Sequence, residues 1–139
     1  MTPPRAEAVP GGTLVLDSEG LAKAVSRDRG VTGWLALARA DDLRVVTSAA
    51  TLAEVMHPRI NRAALEWTLS RLVVEPVTDA VARRAAALLA ETGLHGHKYA
   101  IDAMVAATAL TAPGPVTVLT SDPEDLLALC GRRATVIAI

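Results

Sequence analysis

The sequence predicts an α/β fold built on a central parallel sheet of about five strands. Three observations carry that expectation. Five short runs rich in β-branched residues (TLVL, LRVVT, VVEPV, VTVLT and ATVIA) lack a regular apolar–polar alternation, which marks strands covered on both faces. Longer stretches with helical spacing separate them, and strands alternating with helices imply parallel strands joined by crossovers. The 139 residues are 51% hydrophobic and 21% charged, enough apolar surface for one buried core and too much for a disordered chain.

Residues 1–12 read as a loose leader, because Pro3, Pro4, Pro10, Gly11 and Gly12 crowd it. Residues 13–139 read as a single domain. Thr13 to Leu16 is the first strand, ending at Asp17. Ser18 to Asp28 follows as a helix with Leu21, Ala22 and Val25 on one face. Thr32 is the expected N-cap of a helix from Gly33 to Ala40, and Asp41 and Asp42 turn the chain. Leu43 to Thr47 is the second strand. Ser48 or Thr51 caps the next helix, which carries Leu52, Glu54, Val55 and Met56 and is ended or bent by Pro58. A helix from Asn61 to Leu72 leads to the third strand, Val73 to Val77, where Pro76 suits a strand end. Thr78 or Asp79 caps a helix through Ala90, with Gly93 in its C′ position. The segment LHGHK reads as a loop. Tyr99 to Leu110 is a helix apolar nearly all round, hence buried. Pro113, Gly114 and Pro115 break it. Val116 to Thr120, a helix from Asp122 to Leu129, and Ala134 to Ala138 complete the alternation.

Composition excludes several functions. There is no Phe, one Tyr and two Trp, too few for a platform on which bases stack. A net charge of −1 argues against a general polyanion-binding surface. Twelve of the fourteen basic residues are Arg, so a local patch suited to phosphates or carboxylates stays open. Cys130 stands alone, which rules out an intrachain disulfide and makes it a small buried hydrophobe. The leader has no apolar core of a signal peptide, and no apolar run reaches the roughly 18 residues that span a bilayer. The expectation is a cytoplasmic protein without a membrane partner. P-loop, dinucleotide and nucleophile-elbow motifs are all missing.

The acids are more informative. Asp17 follows the first strand directly, and Asp122 follows the fourth after only Ser121. Open α/β sheets put their ligand crevice beyond the carboxyl ends of the strands. Asp102 is the only charge in YAIDAMVAATAL. An isolated buried carboxylate is costly unless paired or bound to metal, though a helix N-terminus favours an anion. Glu54 sits similarly within TLAEVM. Each acid has an ordinary reading as well, Asp122 before PED being a natural N-cap. Taken together they favour a site. Converging carboxylates raise one another's pKa, and Mg²⁺ or Mn²⁺ relieves the repulsion. The chemistry implied is metal-assisted hydrolysis of a phosphodiester.

In this order the segments LVLDSEGL (14–21), TLAEVM (51–56), AIDAMVAATAL (100–110) and VLTSDPEDL (118–126) resemble the PIN-domain nucleases, and among them the VapC-type toxins of toxin–antitoxin pairs. The resemblance implies a three-layer α/β/α sandwich. It places the family's acids at Asp17, Glu54, Asp102 and Asp122, as catalytic and metal-holding residues for Mg²⁺ or Mn²⁺. It implies endoribonuclease activity, an RNA substrate, a cognate antitoxin partner and a homodimer. Thr120 matches the hydroxyl before the last acid and would orient Asp122 or a metal-bound water. Where many members carry Ser or Asn two positions after the first acid, this chain has Glu19. Glu19 then adds a carboxylate, pairs with an Arg or points to solvent. Asp125 is a solvated residue of a helix's first turn or an outer acid of the site.

Other residues have two readings each. His97 and Lys98 are loop residues or contacts to RNA phosphate. Arg59 and Arg62, three apart on one helical face, bind RNA phosphate or acidic antitoxin side chains, or are simply solvated. Trp34 and Trp67 are packing anchors, or line the antitoxin groove or dimer interface. A non-cutting PIN-like domain that binds RNA or protein is the alternative function. A phospho-acceptor receiver is disfavoured, since VVEPV carries no Asp and only Lys23 and Lys98 are lysines. Replacing Asp17 or Asp102 by Ala is expected to abolish cleavage and leave the fold intact.

Overall fold

β-branched residues lose little by being extended, and here each such run becomes a strand. The computed structural model describes residues 11–139. Its strands are β1 (Thr13–Leu16), β2 (Arg44–Ser48), β3 (Val73–Glu75), β4 (Val116–Thr120) and β5 (Thr135–Ala138). All neighbours pair in parallel, in the order β3-β2-β1-β4-β5. Winding starts at β1 and proceeds outward in both directions. The crevice between β1 and β4, where the direction reverses, is the switch point at which such sheets bind ligands.

Among the described residues seven α-helices cover the sheet: α1 (Ser18–Val25), α2 (Arg29–Ala40), α3 (Ala50–Val55), α4 (Arg62–Ser70), α5 (Asp79–Thr92), α6 (Gly96–Thr111) and α7 (Pro123–Cys130). Successive strand residues point to opposite faces. Val15, Val46 and Val118 therefore pack against Ala85 and Leu88 of α5, the apolar run of α6 and Leu126 and Leu129 of α7. Leu14, Leu16 and Leu119 pack the other way, against Ala24 of α1 and Val31 and Ala38 of α2. Leu21, Val55 and Leu65 join α1, α3 and α4. These layers make a three-layer α/β/α sandwich. Leu14, Leu16, Leu21 and Leu119 are fully buried, each contributing about 2 kcal/mol of transfer free energy.

Several boundaries differ from the expectation. The N-cap of α2 is Asp28, whose carboxylate accepts from Val31 N at 3.1 Å, so Thr32 lies inside the helix. The N-cap position of α3 falls on Ala49, which has no side chain to cap with. Ser48 Oγ accepts instead from Ala50 N, and Thr51 is buried in the first turn. Thr78 caps α5, and Gly93 ends it with φ +73°, a left-handed conformation that glycine adopts without strain. The segment LHGHK is not a loop. His95 is the N-cap position of α6, and Gly96, His97 and Lys98 are helical, with one irregular residue at Tyr99. The third strand stops at Glu75, before Pro76.

Most of the leader, residues 1–10, lies outside the described residues. Gly12 belongs to the sheet's margin. Its carbonyl accepts from Arg44 N at 2.9 Å, and its φ is +97°. A Cβ there would stand 2.0 Å from Pro115 O, so only glycine lets the chain pass. Cys130 is buried, and burial pushes its thiol pKa up to about 11, as expected of an inert side chain. Among the described residues no helix is long and apolar enough to cross a membrane.

Candidate active site

β1 ends in Asp17, and the chain turns at once into α1. Asp17 is that helix's N-cap, with Oδ1 accepting from Gly20 N at 2.7 Å. Its other oxygen accepts from Ser121 N at 3.2 Å, just beyond β4, and the Thr120 hydroxyl also donates to it. Gly20 makes the first of these contacts possible, since a Cβ there would press on Leu119 O and Leu16 Cβ at 3.3 Å. Asp17 is only 3% exposed. Burial raises its pKa, and the three hydrogen bonds partly offset that.

Thr120 ties two acids together. Its hydroxyl oxygen accepts from Asp122 N at 2.8 Å while its proton goes to Asp17. Asp122 occupies the N-cap position of α7, yet its carboxylate makes no capping bond. The ordinary reading of Asp122 as a cap therefore fails, and its exposed charge is free to act elsewhere.

Asp102 feels that charge. It lies in the first regular turn of α6 after Tyr99, half-buried above a helix whose other face is packed into the core. Its pKa is pushed up to about 7, first by burial and then by the charges of Asp122, Asp17, Asp125 and Glu54. Glu54 is exposed on α3, which packs against both α1 and α6. Asp125 is half-buried in the first turn of α7. Five acids from four chain segments thus share one neighbourhood beyond the carboxyl ends of β1 and β4.

Among the described residues no cation is paired with them. Among the described residues the ion pairs are Arg44–Glu75 and Arg83–Asp79, neither of which touches the acids. Ser18 Oγ, next in the chain to Asp17, is buried with no hydrogen-bond partner. Oxygen donors, unbalanced negative charge and an orphaned hydroxyl suit a hard divalent cation. The arrangement is open, however: among the described residues no three acidic, His or Cys side chains are grouped closely enough to hold a metal ion.

Residues 14–128 match the model of the PIN domain family. The chain belongs to the PIN-domain family. In fold, this PIN domain is similar to a chain of VapBC2 from Rickettsia felis, determined bound to a DNA fragment from its promoter. That likeness has a TM-score of 0.67 and 16% identity, over 91% of this chain and 98% of the other. It is also similar to a chain of FitAcB from Neisseria gonorrhoeae, with a TM-score of 0.55 and 22% identity over 89% and 96%. No curated protein matches it.

The other candidate positions of this PIN domain are, apart from Trp34, exposed. Glu19 is exposed in the first turn of α1, and its charge is not among those acting on Asp17 or Asp102. His97 and Lys98 are exposed in the first turn of α6, Lys98 with its Nζ 5.2 Å from the Tyr99 ring. Arg59 and Arg62 are exposed but do not share a helical face. Arg59 stands in the turn before the Asn61 cap, and Arg62 opens α4. Trp34 is partly buried against the core, as an anchor should be. Trp67 is 56% exposed, with the guanidinium groups of Arg27 and Arg71 at 5.7 and 5.5 Å from its ring. It is no packing anchor. It lines a cleft of about 900 Å³ at the amino ends of β2 and β3, together with Arg27, Arg39, Leu35, Arg71 and Leu72. Sequence reasoning missed Gly20, Ser18 and this cleft. An Asp-x-x-Gly spacing at a helix start was the available signal for Gly20.

Proposed function

We propose that this PIN domain is a Mg²⁺- or Mn²⁺-dependent endoribonuclease, the toxin of a type II toxin–antitoxin pair acting in the cytoplasm as a homodimer. The observation that carries the reading is the group of acids around Asp102, gathered at the sheet's switch point with no cation paired to them among the described residues. Asp17, Glu54, Asp102 and Asp122 would hold the ion, with Asp125 outside them. A divalent ion held there would lower the pKa of a water molecule and offset charge on a phosphoryl oxygen. The chain's part is positioning. Asp17 is fastened on three sides, and Thr120 keeps Asp122 in step with it. Without a cation Asp102 holds a proton up to neutral pH, and a cation favours its charged form. His97 and Lys98, at the start of the same helix, and Arg59 and Arg62, after α3, are the candidates for steering RNA phosphate.

The test is cleavage of total RNA by purified protein with Mg²⁺ or Mn²⁺, with EDTA, and beside Asp102→Ala. Cuts that need the ion and vanish in the variant support the reading. Equal cutting by Asp102→Ala ends it. The second reading, a domain that binds RNA or protein without cutting, draws on the open spacing of the acids. It expects no saturable Mn²⁺ binding at the cluster.

The partner proposed is an antitoxin. Its docking surface would be the cleft around Trp67, where Arg27, Arg39 and Arg71 stand beside Leu35 and Leu72. Guanidinium groups held over an indole are presented for carboxylates at little entropic cost. The complementary ligand is an acidic segment with apolar side chains.

A further inference from the structure

Two threonines of the core lie beside the segments that carry two of the acids, without touching the acids themselves. Thr47 closes toward β1 from β2, and its hydroxyl donates to Leu16 O at 2.8 Å. That carbonyl belongs to the peptide joining Leu16 to Asp17. The N–H of the same peptide donates to Leu119 O at 3.2 Å, so the link preceding Asp17 is held from both sides. Thr51 lies in the first turn of α3. Its hydroxyl donates to Ser48 O at 2.8 Å and stands 2.9 Å from the Thr47 hydroxyl. Thr47, Ser48 and Thr51 are all fully buried.

Proton counting shows that the pair acts as a unit. Two hydroxyl protons face three contacts: Leu16 O, Ser48 O and the bridge between the two oxygens. At most two of the three can be hydrogen bonds at once, so a threonine that turns its proton to the bridge gives up its carbonyl, and the bond made by one depends on the other. The chain runs from the end of β1 to the start of α3. Asp17 is one residue beyond its first end, and Glu54 is one helical turn beyond its second. α3 needs such an anchor, being six residues long with no side-chain cap.

We propose that Thr47 and Thr51 are positioning residues whose shared hydroxyl chain sets the placement of Glu54 relative to Asp17. Valine would fill the same volume at either position, so packing alone does not call for hydroxyls there. The inference rests on the metal-nuclease reading, since placement of two acids matters only if both serve one ion.

The test compares wild type with Thr51→Val, Thr47→Val and Thr51→Ser in the full chain, by calorimetric titration with Mn²⁺, RNA cleavage kinetics and thermal melting. Folded Thr51→Val and Thr47→Val are expected to bind Mn²⁺ about tenfold more weakly, the scale found when residues supporting metal ligands are removed. Their kcat falls while KM for RNA holds. Thr51→Ser keeps the hydroxyl and retains the wild-type affinity. A folded Thr51→Val with wild-type affinity and kcat overturns the inference and leaves the nuclease reading standing. Should the valine variants fail to fold, Thr51→Ser decides, because a tenfold loss there shows that the hydroxyl is not what counts. A wild type that takes up no Mn²⁺ overturns the metal reading itself, and the inference with it.

Discussion

Asp102 is the residue at which burial and repulsion work together. Its pKa rises from 3.8 to about 7 on folding. The folded state therefore holds the proton more tightly between about pH 4 and pH 7. Stability contributed by that proton is present below the unfolded pKa and is lost as pH rises through the folded one. Asp102→Asn is expected to melt higher than wild type at pH 8 in EDTA and alike at pH 4, as read by circular dichroism. A variant that melts lower at pH 8 would show that the charged form is not the strained one. Adding Mn²⁺ should raise the melting temperature of wild type and leave the variant unchanged. Asp17 behaves differently. Its carboxylate caps α1 and satisfies Ser121 N, so Asp17→Ala is not the silent change that the sequence suggests. Losing a buried acceptor costs about 1–3 kcal/mol, visible as a lower urea midpoint beside the loss of cleavage.

Helix starts decide more at the next scale than helix interiors do. α2 begins at Asp28 because a carboxylate at N-cap reaches Val31 N, whereas Thr32 is exposed within the helix. Asp28→Ala should lower stability by about 1 kcal/mol. Thr32→Ala should change it by less than about 0.5 kcal/mol, and urea unfolding of the two variants checks both figures. Equal losses would put the cap back at Thr32. α6 starts one turn earlier than its apolar pattern, since His95 O accepts from Lys98 N and Tyr99 N. That turn carries His97 and Lys98 on the same helix as Asp102. The irregular Tyr99 then resets the helix before its buried run.

Across the whole molecule, the two candidate regions lie at opposite ends of the sheet. The acids stand beyond the carboxyl ends of β1 and β4, while the arginine-lined cleft opens at the amino ends of β2 and β3. The two regions make independent predictions. Leu16→Ala removes a fully buried side chain and should cost about 2–5 kcal/mol in urea unfolding. Trp67→Ala removes an exposed ring and should leave the melting temperature unchanged. It is expected to weaken binding of an acidic, apolar antitoxin segment at least tenfold in a titration with the cognate partner. Unchanged affinity would move the partner's docking surface away from this cleft.

Strand positions, the buried character of α6 and the oddness of Asp102 were all readable along the chain. Each rests on local pattern: β-branched runs, apolar periodicity, one charge among alanines and valines. The placement of Asp17 and Asp122 after strands was readable for the same reason. Tertiary structure alone decided the order β3-β2-β1-β4-β5, and with it which strand ends meet. It brought Ser121 to Asp17 across 104 residues of chain, and joined Thr47 to Leu16 O. It also left Glu19 exposed and turned Trp67 outward. A residue's own neighbours in sequence report how deeply it is buried. Which distant backbone it meets depends on strand pairing and on helix packing over the sheet, for which no local pattern carries a signal.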